Sequence, residues 1–293
     1  MNASATMQIV RSIAELQNIL NPRKRGGRTI GFVPTMGFLH EGHLELVKQA
    51  RRDHDLVVMS IFVNPAQFGP GEDYEAYPRD EQRDAELASA AGVDYLFVPA
   101  VNEMYPRTSS IRILPGEQAA RLCGASRPGH FDGVLKVLLK LFNIVDPDES
   151  YFGMKDAQQL AIIETFVRDF NLRTSICRVP TVREEDGLAK SSRNVRLEPQ
   201  ERDQAPAIYR ALCMGKRSYY EGVSLKEVEK IVSNVIENET SGTIDYVKAL
   251  AYPSLDESFG EAEEIIIATA VKFTSTRLID NIIMSSIKDE KNV

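Results

Sequence analysis

At 293 residues, 43% hydrophobic and 26% charged, the chain has the composition of a globular protein with one large core or two of ordinary size. Its formal net charge of −7 argues against a general nucleic-acid binder, whose phosphate partners demand a basic face, so cations at any site act locally. Three cysteines, Cys123, Cys177 and Cys213, fall in no CxxC or metal-ligand spacing and read as reduced, mostly buried thiols of a cytoplasmic protein.

Met1 to Arg11 shows no basic stretch followed by an apolar one, so no signal peptide is read there. Arg28–Pro34, an apolar run after Gly26-Gly27, predicts a strand, and Leu44, Val47 and Ala50 recur at helical spacing through Asp53. Leu56–Val63 is continuously apolar, as a strand buried on both faces of a parallel sheet would be. Glu75–Ala91 is helical in composition, and Val93–Pro99 predicts another buried strand. Val134, Leu138, Leu141 and Val145 mark one helix face, interrupted by Lys136 and Lys140, so no run approaches the ~18 apolar residues of a membrane span. Leu160, Ile163, Val167 and Phe170 repeat that stripe before a short strand at Thr174–Pro180.

The alternation predicts an α/β fold, a Rossmann-like doubly wound parallel sheet with right-handed crossovers over residues 1–180. Beyond Thr181 come two polar helices, Pro199–Glu221 and Ser224–Asn238, then strand-like runs at Ile244–Ala251 and Glu264–Phe273. Residues 181–293 are therefore expected to form a smaller α+β domain that closes over the site.

Pro34–His43 (PTMGFLHEGH) lies between the first strand and the first helix, where ligands bind in open α/β sheets. It is neither a GxGxxG fingerprint nor a Walker A loop. His40 and His43, three apart, share one face of the opening turn and can donate to phosphate oxygens, with the helix N-terminus adding free N–H groups and its dipole. Gly42 would let a flat base or sugar approach the backbone. Two histidines near a turn are also read as surface residues or ligands of a structural metal; the place after the first strand favours phosphate. A second segment, Asp186–Asn194 (DGLAKSSRN), sits at the expected boundary. Its Lys190-Ser191-Ser192-Arg193 offers hydroxyls and a planar guanidinium to phosphates. Such a run is common in surface loops, but paired with HxGH it matches the HxGH-plus-KxSxS-like combination of nucleotidyl-transferring α/β enzymes, including class I aminoacyl-tRNA synthetases.

Val33–His43 (VPTMGFLHEGH), Ser60–Gly69 (SIFVNPAQFG), Gly124–Gly133 (GASRPGHFDG), Tyr151–Gln159 (YFGMKDAQQ) and Val179–Asn194 (VPTVREEDGLAKSSRN) are five ordered motifs that resemble the pantothenate synthetase family over nearly the whole chain. The resemblance implies an ATP- and Mg²⁺-dependent condensation of pantoate with β-alanine through a pantoyl adenylate, releasing AMP and pyrophosphate, by a homodimer. It implies ATP contacts from Met36, Gly37, His40, Gly42, His43, Gly153, Met154, Lys155, Asp156, Val182, Lys190, Ser191, Ser192 and Arg193. Gln67 is implied to touch pantoate and β-alanine and Gln159 to hold pantoate, with Asn64 beside that pocket; Arg127 and His130 fall in a family motif without an assigned role. Met154 and Lys190 depart from the family pattern, in which an acidic or amide residue and a Leu or Met are expected.

A carboxylate attacking ATP brings anions together, and like charges ~4 Å apart repel by roughly 4 kcal/mol at an effective dielectric of about 20. His40, His43, Lys155, Arg193 and Mg²⁺ are expected to offset that, while the neutral amides of Gln67 and Gln159 orient the hydroxy acid. Asp80, Asp84 and Asp156 read as helix caps or solvated faces ahead of aids to Mg²⁺, which the phosphates would largely hold; no protein metal site is expected. No GxSxG or catalytic cysteine context appears, in keeping with an adenylate that needs no covalent enzyme intermediate. Two readings compete, a nucleotidyltransferase that keeps the nucleotide on its product and a catalytically silent nucleotide-binding regulator; release of free AMP separates them from the ligase.

Overall fold

The computed structural model describes residues 7–72, 74–108, 110–260 and 264–287; residues 1–6, on which part of the leader reading falls, lie outside them. The first half contains β1 (Gln8–Val10), α1 (Ile13–Arg25), β2 (Ile30–Thr35), α2 (Glu41–Asp53), β3 (Leu56–Ile61), α3 (Glu81–Ala91) and β4 (Tyr95–Phe97). Two short helices, α4 (Val101–Met104) and α5 (Leu122–Ala125), precede α6 (His130–Val145), β5 (Glu149–Gly153), α7 (Ala157–Asp169) and β6 (Ser175–Val179). Then follow α8 (Pro199–Gln204), α9 (Ala207–Tyr220), α10 (Leu225–Glu239), β7 (Thr243–Tyr252), β8 (Glu264–Lys272) and β9 (Arg277–Ser285).

The first six strands form one parallel sheet in the order β1-β4-β3-β2-β5-β6. Successive residues of its central strands feed opposite cores: Phe32, Val58 and Phe97 pack beneath α1 and α6, Val33, Val57 and Met59 beneath α2. The chain winds outward from β2 through β3 to β4, then returns to β5 on the other side of β2. That reversal opens a crevice beyond the carboxyl ends of β2 and β5, the switch point at which doubly wound sheets hold ligands.

The last three strands form an antiparallel sheet, β7-β8-β9. One face packs under α9 and α10 through Ile265, Ile267 and Val271 against Leu212, Val228, Val232 and Ile236. The other face, with Leu250, Tyr252, Ile266 and Ala268, rests on Ala157 and Ala161 of α7. Arg178 of β6 reinforces the junction by bonding both Glu164 and Glu264. The second sheet thus sits directly above the loop that follows β5.

Several elements differ from expectation. The helix expected from Glu75 begins at Glu81, because Asp80 caps it by accepting the Arg83 N–H at 3.1 Å. The helix expected over 199–221 divides around Pro206, which has no N–H to continue the ladder. β1, α1 and β9 carry weak signals: three residues, an internal Pro22, and the inward-facing Asp280 and Asn281 that break the apolar pattern. The cysteines are free thiols, each only partly buried rather than sealed in a core.

Candidate active site

At the carboxyl end of β2 the chain turns through Gly37 (φ 87°) and Phe38 (φ 52°) before entering α2. The turn is held from behind by Asp84 of α3, a buried carboxylate that accepts the Phe38 and Leu39 N–H groups, each at 2.7 Å. Asp84 is thus neither a solvated face nor aimed at a metal. Gly37 is obligatory here, since a Cβ would lie 2.9 Å from Ile61 Cγ2 and 3.0 Å from Asp84 Oδ2 in a left-handed backbone.

α2 is capped by its own histidines. The Gly42 N–H donates to His40 Nδ1 at 3.1 Å, the His40 N–H donates to His43 Nδ1 at 3.3 Å, and the two rings lie 4.1 Å apart. The Gly42 and His40 N–H groups are spent inside the turn, so the helix start keeps its dipole with fewer free donors than the sequence suggests. With both Nδ1 atoms accepting, each neutral imidazole carries its proton on Nε2. A Cβ on Gly42 would fall 2.8 Å from His40 Cε1, so that glycine makes room for the His40 ring.

Burial, and then the nearby Lys155 ammonium, push His40 down to about 4; burial, then His40 and Lys155, push His43 to about 3. Both are therefore neutral donors at pH 7. Their folded values lie below the ordinary ~6.5, so the stability tied to the neutral rings is complete above pH ~6.5 and lost as pH falls toward 4. Long-range ¹H–¹⁵N spectra should show both as Nε2–H tautomers down to pH 5.5; a titration near 6.5 for either would overturn this assignment.

After β5, a single turn at Met154–Asp156 leads into α7. Asn281 of β9 donates to the carbonyls of Met154 and Lys155, each at 2.9 Å, so the second sheet fixes the backbone from which Lys155 projects. The Lys155 side chain is 18% exposed, and its nearest carboxylate, Asp156, is 4.0 Å away. The loop after β6 is pinned by Arg183, whose guanidinium bonds Asp280 at 2.6 and 3.0 Å and lies 3.5 Å over the Tyr209 ring. Arg193 on this loop has no ion-pair partner among the described residues.

Beyond β3, buried Asn64 caps one 3₁₀ turn, Pro65–Gln67. Its Oδ1 accepts the Ala66 N–H at 3.2 Å and the Tyr105 hydroxyl at 2.9 Å; its Nδ2 donates to the Gly133 carbonyl and to Gln67 Oε1, both at 3.1 Å. The backbone partners fix which way Asn64 points, and Asn64 fixes Gln67 in turn. Gln67 Nε2 is left with only the Met36 thioether at 3.2 Å, a weak acceptor that a ligand can displace. Asn64, expected beside the substrate, has its hydrogen-bonding capacity committed to this scaffold. Gly133 of α6 lets the helix touch the turn, since a Cβ there would fall 2.1 Å from Ala66 O. Gly133→Ala should cost about 1–3 kcal/mol in chemical denaturation, the range for overpacking; an unchanged midpoint would refute the close approach.

Three cavities of about 290, 240 and 150 Å³ share Lys155, Asp156 and Gln159 as walls. Along them lie Met36, His40, Gly42, His43, Asn64, Gln67, Gly153, Val182, Lys190, Ser191, Ser192 and Arg193. The Gln159 amide has no protein partner among the described residues. Two residues fall outside this group. Gly37 faces the opposite side, toward Asp84, and the Met154 side chain packs into the sheet core, leaving its carbonyl to Asn281. Lys190 lines the smallest cavity, but its ammonium bridges Glu41 and Glu184, each at 3.2 Å. Asn281 and Tyr105 were missed by sequence reasoning, as were the structural roles of Asp84 and Arg183; the partners of all four lie far along the chain.

A family model described as pantoate-beta-alanine ligase matches residues 8–283. The pantothenate synthetase of Lysinibacillus sphaericus is 53% identical over 279 residues, covering 95% of this chain and 98% of that protein. That of a Bacillus cereus strain is 52% identical over 280 residues, covering 95% and 99%. Among solved structures, pantothenate synthetase from Thermus thermophilus superposes with a TM-score of 0.86 at 45% identity over 94% of this chain and 99% of that one. Pantoate-beta-alanine ligase from Francisella tularensis, solved with β-γ ATP and β-alanine, gives 0.78 at 37% identity over 94% and 97%.

Proposed function

The chain belongs to the pantoate–β-alanine ligase family, an ATP-dependent ligase joining pantoate to β-alanine, and we propose that its residues divide that chemistry as follows. ATP lies along the crevice beyond β2 and β5, its phosphates between the Nε2–H groups of His40 and His43 on one side and Lys155 and Arg193 on the other. The hydroxyls of Ser191 and Ser192 add donors from the loop after β6. Pantoate is oriented by the amides of Gln67 and Gln159, so that one carboxylate oxygen attacks the α-phosphorus and pyrophosphate departs. The β-alanine amine then attacks the acyl carbon of the pantoyl adenylate, the acyl–oxygen bond breaks, and AMP leaves with that oxygen.

One observation carries this reading. Two neutral imidazole donors, two weakly paired or unpaired cations and two neutral amides with displaceable or absent partners converge on connected cavities. Cations and preorganised donors are worth most where charge develops on transferring phosphoryl groups. The amides bind a carboxylate without cancelling the charge that makes it a nucleophile.

Mg²⁺ is part of the proposal. Among the described residues no group of three or more His, Cys, Asp or Glu side chains builds a metal cage. Asp156, however, lines all three cavities, and Mg²⁺ ordinarily takes one or two carboxylates plus substrate phosphates and water. When bound, the ion would neutralise phosphate charge beside Asp156. The proposal also includes a division at residues 180/181, with the second part closing over the site, and a cytoplasmic homodimer, as the family resemblance implies. No helix of the described residues is long and apolar enough to cross a membrane.

With purified protein, ATP, pantoate and β-alanine together should yield AMP and pantothenate in equal amounts, with little sustained AMP release if either acid is left out. Nucleotide retained on the product, or ATP binding without turnover of pantoate, would refute the reading in favour of a nucleotidyltransferase or a regulator.

A further inference from the structure

Arg127 and His130 line the cavity facing Gln67, yet the chemistry above gives them nothing to do. Their partners are unusually determinate. His130 Nδ1 lies 2.8 Å from the Gln67 carbonyl oxygen, which can only accept, so the proton is on Nδ1. His130 Nε2 lies 3.1 Å from Arg127 NH1, which can only donate, so Nε2 bears the lone pair. The ring is therefore neutral in one tautomer, with both nitrogens engaged. Burial, and then the Arg127 charge, hold His130 below the ordinary imidazole value, in agreement with that state. Arg127 commits its other two faces to Glu72, Nε to Oε1 at 2.8 Å and NH2 to Oε2 at 2.6 Å. The planar fork thus locks the guanidinium in place.

No backbone N–H of the described residues donates to the Gln67 carbonyl, so His130 is its hydrogen-bond donor. Gln67 is consequently gripped twice: Asn64 holds the amide oxygen and His130 holds the peptide. We propose that Glu72, Arg127 and His130 form a positioning relay that aims the Gln67 amide N–H at the carboxylic acid substrate, a role resting on the reading of Gln67 given above. The relay joins the loop bearing Glu72 to the first turn of α6, and it ends on the Gln67 carbonyl, the peptide group that follows the Gln67 side chain. None of its three side chains needs to touch substrate for it to act. Loss of the relay rotates the Gln67 peptide and withdraws the amide, while the groups arranged around ATP stay in place.

The test compares steady-state kinetics of His130→Ala, His130→Asn, Glu72→Gln and Gln67→Ala with the unaltered enzyme. Asn keeps a donor close to the position of Nδ1 but offers Arg127 no ring nitrogen. His130→Ala is expected to lower kcat/KM for pantoate by about 10–100-fold, the usual cost of removing a group that orients another, with KM for ATP unchanged within about twofold. His130→Asn recovers the part of the loss that belongs to the donor, while its broken link to Arg127 leaves a smaller loss that Glu72→Gln, at the far end of the relay, reproduces. The side-chain ¹⁵NH₂ resonance of Gln67 shifts in His130→Ala and by less in His130→Asn. An equal loss toward ATP and pantoate, or no recovery by Asn, would reduce the three residues to general scaffolding and overturn the proposal. If Gln67→Ala leaves pantoate kinetics unchanged, the reading of Gln67 falls and takes the relay's purpose with it. If Gln67→Ala is impaired and His130→Ala is not, the relay alone falls.

Discussion

His43→Ala is expected to slow single-turnover adenylate formation by about 10²–10³-fold, the usual cost of removing one preorganised donor to a developing anion. The magnitude follows from how little freedom His43 has. Its Nδ1 is held by the His40 N–H, so Nε2–H has one direction, into the cavities also lined by His40, Lys155 and Gln159. Because burial and neighbouring positive charge keep the ring neutral, it donates without adding another full cation to the site. A donor of this kind acts mainly as charge grows on the transferring phosphoryl oxygens, so kcat should fall further than KM for ATP rises. Losing the cap costs about 1 kcal/mol, and the fold should survive it. His43→Gln, which places an amide N–H near the position of Nε2, should restore part of the rate. A loss below about threefold in His43→Ala would remove His43 from the chemical step.

Lys155→Met is expected to cost a similar 10²–10³-fold in the same single-turnover measurement, with KM for ATP raised as well. The Lys155 ammonium is largely withdrawn from water, and its nearest carboxylate, at 4.0 Å, is too far for a close ion pair. Its charge is therefore available to phosphates, and Met preserves the length and apolar stem of the side chain. A second readout is independent of turnover. Lys155 is among the causes that depress His40 and His43, so its removal should move both imidazole titrations upward, with burial still holding them below ~6.5. Normal adenylation, or unmoved histidine titrations, would place the ammonium elsewhere.

Much of this site was legible because it lies at the switch point of a doubly wound sheet. The run through Leu56–Ile61, apolar at nearly every position, announced a strand buried on both faces, and PTMGFLHEGH after the preceding strand announced the crevice. What the motif could not show is how its atoms are spent. Which N–H groups of α2 are free depends on the rotamers of His40 and His43, and these turn inward to cap the helix. Asp84 has no local signature, because its work is done 45 residues away on the Leu39 N–H. Asn281 and Asp280 interrupt an apolar run and so hid β9, although each is buried with partners, Asn281 on the turn after β5 and Asp280 on Arg183. Lys190 was read as a cation for phosphates, but the structure pairs its ammonium with Glu41 and Glu184, from separate segments that only the folded chain brings together.

In the proposed chemistry a carboxylate oxygen of pantoate becomes bonded to the α-phosphorus of ATP within this site. Pantoate labelled with ¹⁸O in its carboxylate, turned over with ATP and β-alanine, tests that bond directly by mass spectrometry of the products. One ¹⁸O is expected in the phosphate of AMP and the other in the pantothenate amide carbonyl, with none in pyrophosphate. Label appearing in pyrophosphate or inorganic phosphate, or AMP free of label, would contradict it.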